Sequence, residues 1–252
     1  ETAEVPARAK QAESTPTQWE WVDRTIWTER MLAALGNGVK GNKWFSLIDK
    51  VYRQSTLQAA WEQVRANRGA AGIDRQSIEG FAANAERYLN ELAKELREER
   101  YQSQAVRRVE IPKAGGKTRP LGIPTVKDRI VQTAVKRVIE PIFENDFLPT
   151  SYGFRPGRSC KDALREVDKC LKEGYTHVVD ADLKGYFDSS PQPLLKERIE
   201  ERISDGRLLE LLADDELGKN REGVGSDDPA YIRAFDAIDR DRLIAMVDHF
   251  LD

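Results

Sequence analysis

Apolar positions along this chain repeat with two different periods. From Val126 onward, Val131, Val135, Val138 and Ile142 step by 4, 3 and 4, which places them on one face of a helix. Thr125 stands where an N-cap belongs, and Pro141 is expected to kink or shorten the far end. The same period predicts helices over 21–36, closed by Gly36, over 44–68, over about 76–100 and over about 159–173. The run "LLKERIEERISDGRLLELLADDEL" (194–217) reads as one more. Trp27, Trp44 and Trp61 are assigned to the core.

Period two appears in "AVRRVEIP" (105–112), which alternates and stops at Pro112, and predicts a strand. "KAGGKTR" carries the glycines of a hairpin turn, and "RPLGIP" is the return strand. A further strand is predicted over 176–183, followed by the "SSP" turn. "GNGVKGN" and "NRGAAGID" are glycine-rich breaks, and "LPTSYGFRPGRS" is a loop. Residues 1–18, small and polar with Pro6 and Pro16, are predicted to be disordered. No internal repeat is present.

Composition narrows the function. The chain has 252 residues, 40% hydrophobic and 33% charged, enough for one large or two small domains with a proper core. No apolar run approaches the roughly 20 residues of a membrane helix, and no secretory signal is visible, so a cytoplasmic protein is expected. The first residue is Glu1 rather than Met, as expected of a fragment. Cys160 and Cys170 lack metal-ligand spacing and are expected to be reduced. With only His177 and His249 in the chain, a His-based zinc site or a serine-hydrolase triad is disfavoured. The net charge of −3 hides an asymmetry. Residues 100–165 hold 14 Lys and Arg against 6 Asp and Glu, whereas residues 200–252 hold 7 against 15. So basic a middle segment suits a phosphate-rich partner, or is a solvated surface.

"VVDADLKGYFDSS" (178–190) sets Asp180, Asp182 and Asp188 on or just after an apolar strand. Period two puts Val178, Asp180 and Asp182 on one face and Val179, Ala181 and Leu183 on the other. Unpaired charges inside a sheet are costly. These acids are therefore either solvated at the strand end or ligands of a hard cation such as magnesium.

Three segments occur in one order: "IPKAGGKTRPLGIPTVKDRIVQ", "SYGFRPGRSCKDAL" and "VVDADLKGYFD". Together they closely resemble the finger and early palm blocks of group II intron reverse transcriptases, the intron-encoded maturases of bacteria. "AAWEQVRANRGAAGIDRQSIEGF" is similar to the block that precedes the fingers in that family, and "WTERMLAAL" with "KWFSLIDKVY" is similar to the leader of some members. The resemblance extends over about 19–205.

It implies an α+β fold: right-hand polymerase fingers and a partial palm behind a helical N-terminal region. The implied division is a leader over 1–18, a helical region over 19–100, fingers and partial palm over 101–213, and an acidic helical tail of unknown origin over 214–252. It also implies RNA-directed DNA polymerase activity with Mg²⁺, dNTPs, and an RNA template with a DNA primer. By resemblance Asp182 is the first catalytic aspartate, with the Leu183 carbonyl also near the metal. Phe187 matches the aromatic that discriminates against a ribose 2′-hydroxyl, and its alternative is a core position. Lys113 and Arg129 match residues that hold the incoming triphosphate, and Arg119 matches a finger-tip residue near the templating base. Arg155 and Arg158, in "YGFRPGRS", match positions along the template–primer path. For each cation the alternative is an ordinary surface charge. Asp188 matches a common acidic position but suits a turn or cap better than a metal.

The sequence also departs from the family. A Tyr-x-Asp-Asp turn between apolar strands is missing, and so is the "PQG" block before it. Asp227 and Asp228 in "GVGSDDPAYI" do not replace the turn, because no aromatic precedes them, Pro229 follows, and the flanks are not strand-like. Beyond about 214 the resemblance ends. Three readings follow: an incomplete and weakly active or inactive polymerase portion, a non-catalytic module that binds intron RNA, or a gene remnant that folds poorly.

Overall fold

The computed structural model describes residues 19–112, 118–178 and 192–216. Their core is a single apolar cluster, fed by helices from both ends of the chain. Helix α1 (Glu29–Asn37) is shorter than its pattern suggested. Residues before Thr28 form turns, and Thr28 caps the helix through its side chain. Gly36 lies inside α1, and the chain leaves it at Gly38, whose φ of 80° suits glycine.

The helix expected over 44–68 is broken. Trp44 forms an isolated bridge to Ile203, then come the short α2 (Ile48–Val51) and the longer α3 (Gln54–Asn67). Likewise 76–100 is two helices, α4 (Ile78–Ala82) and α5 (Ala85–Arg97). Ser77 caps α4, and Asn84 departs from helical dihedrals at the break. The aromatics fill the space between these pieces. The Trp61 and Phe81 rings lie 4.7 Å apart, and those of Phe81 and Tyr88 5.0 Å. Trp27 and Trp61 are buried as expected, while the partly buried Trp44 meets Trp27 edge-on at 5.1 Å.

The period-two segment is a strand, β1 (Arg107–Pro112), paired antiparallel with β2 (Thr118–Ile123). Arg107 faces Ile123 at the base, and Pro112 faces Thr118 at the far end. This hairpin is the only sheet among the described residues, so the fold is mixed α and β with helix dominant. Within β1 half-buried and exposed positions alternate, and no residue is fully buried.

Helix α6 (Val126–Glu144) follows, with Thr125 as N-cap. The predicted face is buried through Val131, Val135, Val138 and Ile142, but burial spreads to further faces because α2 and α3 both pack on this helix. Pro141 does not end it, since α6 continues to Glu144. Helix α7 (Cys160–Lys172) begins at a capping box formed by Ser159 and Asp162. It buries no residue: Leu164, Val167 and Leu171 are all exposed. Both cysteines are free thiols. Residues 175–178 are irregular rather than the start of a strand, and the rest of that predicted strand lies outside the described residues.

The last helical run is also split, into α8 (Gln192–Glu200) and α9 (Gly206–Glu216). The break carries Ile203, which bridges to Trp44, and the buried Asp205. Among the described residues no helix is long and apolar enough to cross a membrane.

Candidate functional site

The described part of the site is built around the first turn of α6. Three chain segments converge there, because the residue types at 124–129 leave little room and many polar groups. The Thr125 hydroxyl accepts the Asp128 amide at 3.1 Å and donates to Asp128 Oδ2 at 2.7 Å. Asp128 is buried, and its carboxylate gathers partners from outside the helix. The Tyr101 hydroxyl donates to Oδ1 at 2.7 Å, and the Gln104 amide donates to Oδ2 at 3.3 Å. The chain approaching β1 and the chain leaving β2 are therefore fastened to one carboxylate.

Arg129 points to the other side of the same turn. Its Nη2 donates to the Ala70 carbonyl at 2.9 Å, and its Nη1 to that of Arg68 at 3.4 Å. The glycine-rich segment 68–72 thus lies against the start of α6. Gly72 is pressed closest: a Cβ there would sit 2.7 Å from Thr125 Cα and 2.9 Å from the Pro124 carbonyl oxygen. Gly69, at φ 118°, would bring a Cβ within 2.8 Å of Arg129 Nη1. Arg129, expected to hold a triphosphate, holds the backbone of 68–70 in this structure.

Of the other cations expected to meet the nucleotide, Arg119 stands towards the far end of the hairpin. Arg119 is the second residue of β2, registered opposite Ile111. Lys113 follows Pro112 and lies outside the described residues, as do Asp180, Asp182, Leu183, Phe187 and Asp188. From Arg119 to the base of β2 is about 14 Å of strand.

The loop after α6 assigns its two arginines different tasks. Arg155 is buried, with its side chain only 5% exposed. It grips Glu144 through Nε at 3.1 Å and Nη2 at 2.8 Å, while Nη1 donates to the carbonyls of Leu148, at 2.6 Å, and Ser151, at 2.9 Å. Its guanidinium lies 4.9 Å from the centre of the Phe147 ring. Here Arg155 closes the loop onto the end of α6, and its planar fork suits this bidentate geometry. Arg155, expected along the template–primer path, has its donors engaged in protein contacts below the surface in this structure. Arg158 is only half-buried, beside the Tyr152 ring at 5.4 Å, and bonds the carbonyls of Pro149 and Ser151. Phe154 nearby is 61% exposed at a positive φ of 54°.

Two further groups frame this end of the molecule. Burial pushes the Glu140 carboxyl above its ordinary value, against the pull of its partner Lys136 at 3.3 Å. Asp146 is also raised by burial, although Arg202 pairs with it at 2.7 Å. Among the described residues no group of three or more His, Cys, Asp or Glu side chains is placed to hold a metal ion.

Sequence reasoning found Thr125 as a cap but missed the tertiary roles of Asp128, Tyr101 and Glu144. The Thr-x-x-Asp spacing at 125–128 signals a cap. Nothing local signals that Asp128 also reaches back to Tyr101.

Comparison with known proteins agrees with a resemblance to reverse transcriptases. Residues 111–213 match the reverse transcriptase (RNA-dependent DNA polymerase) family. Protein YkfC of Escherichia coli is 43% identical over 148 residues, spanning 57% of this chain and 38% of that protein. The group II intron-encoded protein LtrA of Lactococcus lactis is 34% identical over 163 residues, spanning 64% of this chain and 26% of that protein. Among solved structures, a partial Cas6-RT-Cas1–Cas2 complex aligns with a TM-score of 0.36 at 20% identity, over 69% of this chain and 34% of that one. That structural likeness is too low to carry an argument. These matches agree with the resemblance: residues 111–213 are similar to reverse transcriptases, and a longer stretch of the chain is similar to a group II intron-encoded protein. The chain spans well under half the length of these relatives.

Proposed function

We propose that this chain forms the fingers and the beginning of the palm of an RNA-directed DNA polymerase of group II intron type. The observation that carries the reading is the family match over 111–213, which begins in the hairpin and includes α6, α7 and the "VVDADLKGYFD" block. In the proposed reaction the primer 3′-oxygen bonds to the α-phosphorus of a dNTP. The bond from that phosphorus to the pyrophosphate oxygen breaks, pyrophosphate leaves, and the hydroxyl proton passes to solvent.

Lys113 and Arg129 are the cations offered to the triphosphate, Arg119 serves near the templating base, Phe187 excludes a 2′-hydroxyl, and Arg155 and Arg158, with Tyr152 and Phe154, border the template–primer path. Mg²⁺ in this proposal rests on Asp182 and the Leu183 carbonyl, where it would neutralise charge on the reacting phosphates. These ligands lie outside the described residues.

A second reading is favoured by one observation, the lack of a Tyr-x-Asp-Asp turn anywhere in the 252 residues. In that reading the chain binds intron RNA in the cytoplasm without polymerising. Primer extension on an RNA template with Mg²⁺ and dNTPs separates the two, with Asp182→Asn run beside the wild type. Extension that vanishes in the variant supports the polymerase. Salt-sensitive RNA binding with no extension by either protein supports the binding module.

A further inference from the structure

The hairpin has little to aim it. No residue of β1 is fully buried, and among the described elements β1 and β2 pack extensively only on each other. Yet the resemblance puts Lys113 and Arg119 at its far end. The strands are six residues each, so that end stands about 20 Å from the base. A tilt of about 10° at the base would move it by roughly 3.5 Å on that length. Misplacement by about 1 Å is enough to cost a reacting group some hundredfold in rate.

We infer that Asp128 is a positioning residue that locks the base of the hairpin to α6, with Tyr101 and Thr125 as its partners. Asp128 Oδ1 takes the Tyr101 hydroxyl, and Oδ2 takes Thr125 Oγ1 and the Gln104 amide. Tyr101 and Gln104 lie on the approach to β1, and Thr125 two residues past the end of β2. Both legs of the hairpin are thus held at one buried point. The same turn is pinned from outside by Gly72, whose backbone packs against Thr125, and by the Arg129 bonds to 68–70. Glycine loop, hairpin base and α6 therefore form one rigid corner. The geometry of the lock stands on the hydrogen bonds, while its meaning for nucleotide binding rests on the function proposed above.

Hydrogen exchange on the full 252-residue chain tests it. In Asp128→Ala the amides of β1 and β2, Pro112 and Pro120 having none, should exchange at least about tenfold faster, with α3 and α5 unchanged, as local rather than global opening requires. Tyr101→Phe, which removes one hydroxyl and keeps the ring, should show the same pattern more weakly and guards against an alanine variant that fails to fold. Unchanged hairpin protection in Tyr101→Phe, or acceleration spread evenly over all helices, would overturn the lock. Asp128→Asn keeps one oxygen for Thr125 and Gln104 and should restore most of the protection. Titration of the wild-type chain with dNTP decides the other matter. No binding there would overturn the polymerase reading, while the exchange comparison still decides the lock.

Discussion

Asp205 accepts the backbone amide of Leu47 at 2.6 Å, joining positions 158 residues apart in the chain. The same Oδ2 takes the Ile48 amide at 2.9 Å, and Oδ1 takes the Leu208 amide at 3.2 Å. One buried carboxylate thus caps α2 from a distance and α9 locally. Beside it Trp44 and Ser204 exchange strand-like bonds with the partner segment, Trp44 N to the Arg202 carbonyl at 2.8 Å and Ser204 N to the Trp44 carbonyl at 2.9 Å. The N-terminal helices and the 192–216 helices are a single body because of this seam.

Asp205→Ala should therefore destabilise the whole chain. Two buried amides at 47 and 48 lose their acceptor, at a cost of about 2–3 kcal/mol. For a domain of this size the melting temperature should fall by roughly 4–10 °C. Asp205→Asn, which retains one acceptor oxygen, should lose less. A thermal melt followed by circular dichroism measures both, and an unchanged Tm in Asp205→Ala would show the seam to be dispensable.

Arg155 and Arg158 should separate cleanly. Arg155→Ala leaves the carboxylate of Glu144, 12% exposed, without its partner, and should cost about 3–5 kcal/mol. Arg155→Lys should rescue little, since an ammonium cannot span Glu144 and two carbonyls at once. Arg158→Ala should leave the melting temperature nearly unchanged. It should instead weaken RNA binding and lower the slope of log K against log salt by about one contact's worth, roughly 0.7 for a single strand. Titrations at several salt concentrations, with melts of the same proteins, read both effects.

The two glycines at the corner should respond differently. Gly72→Ala drives a Cβ into backbone at Thr125 and Pro124, which cannot move aside alone, and should cost about 1–3 kcal/mol. Gly69→Ala meets the end of the Arg129 side chain, which can swing away, but places alanine at a φ of 118°. Its cost should be about 1 kcal/mol, mostly from the backbone. Chemical denaturation with a constant slope compares them.

Acid stability should carry the mark of Asp23. Burial alone would raise its carboxyl, but the hydrogen bonds from Arg137 and Thr25 outweigh it and hold it below its ordinary value. The unfolded chain then binds the proton more readily than the folded one. This pair's stabilisation is complete above the ordinary aspartate value of about 4 and is lost as pH falls through the lowered one. Glu140 works in the opposite sense. Burial raises its carboxyl, so its ionisation costs stability, and the cost is relieved as pH falls through the raised value. Arg137→Gln should flatten the acid limb below about pH 4, and Glu140→Gln should remove the gain on mild acidification. Denaturation midpoints from pH 3 to 7 follow both.

Much of the local structure was legible in the residues. The strand at 107–112, its antiparallel return strand and the cap at Thr125 follow from alternation and a hydroxyl before an apolar run. The breaks were not legible. Apolar periodicity ran on through 44–68, 76–100 and 194–217, while the chain interrupts each one at 52–53, 83–84 and 201–205. The last break exists because Ile203 and Asp205 have partners at Trp44 and Leu47, which no window of neighbouring residues contains.

What the sequence by itself determined is the order of the blocks that resemble reverse transcriptases, the basic middle, and which cations and carboxylates are candidates for such chemistry. These are properties of residue type and spacing, and they survive without coordinates. What only the tertiary structure decided is which charges face inward. Arg155 is drawn beneath the surface because Glu144, Leu148 and Ser151 offer it acceptors there. Asp128 is taken up by Tyr101 and Thr125, at the base of a hairpin with no core of its own. A buried charge endures only where partners from elsewhere in the chain satisfy it, and the folded chain alone brings those partners into reach.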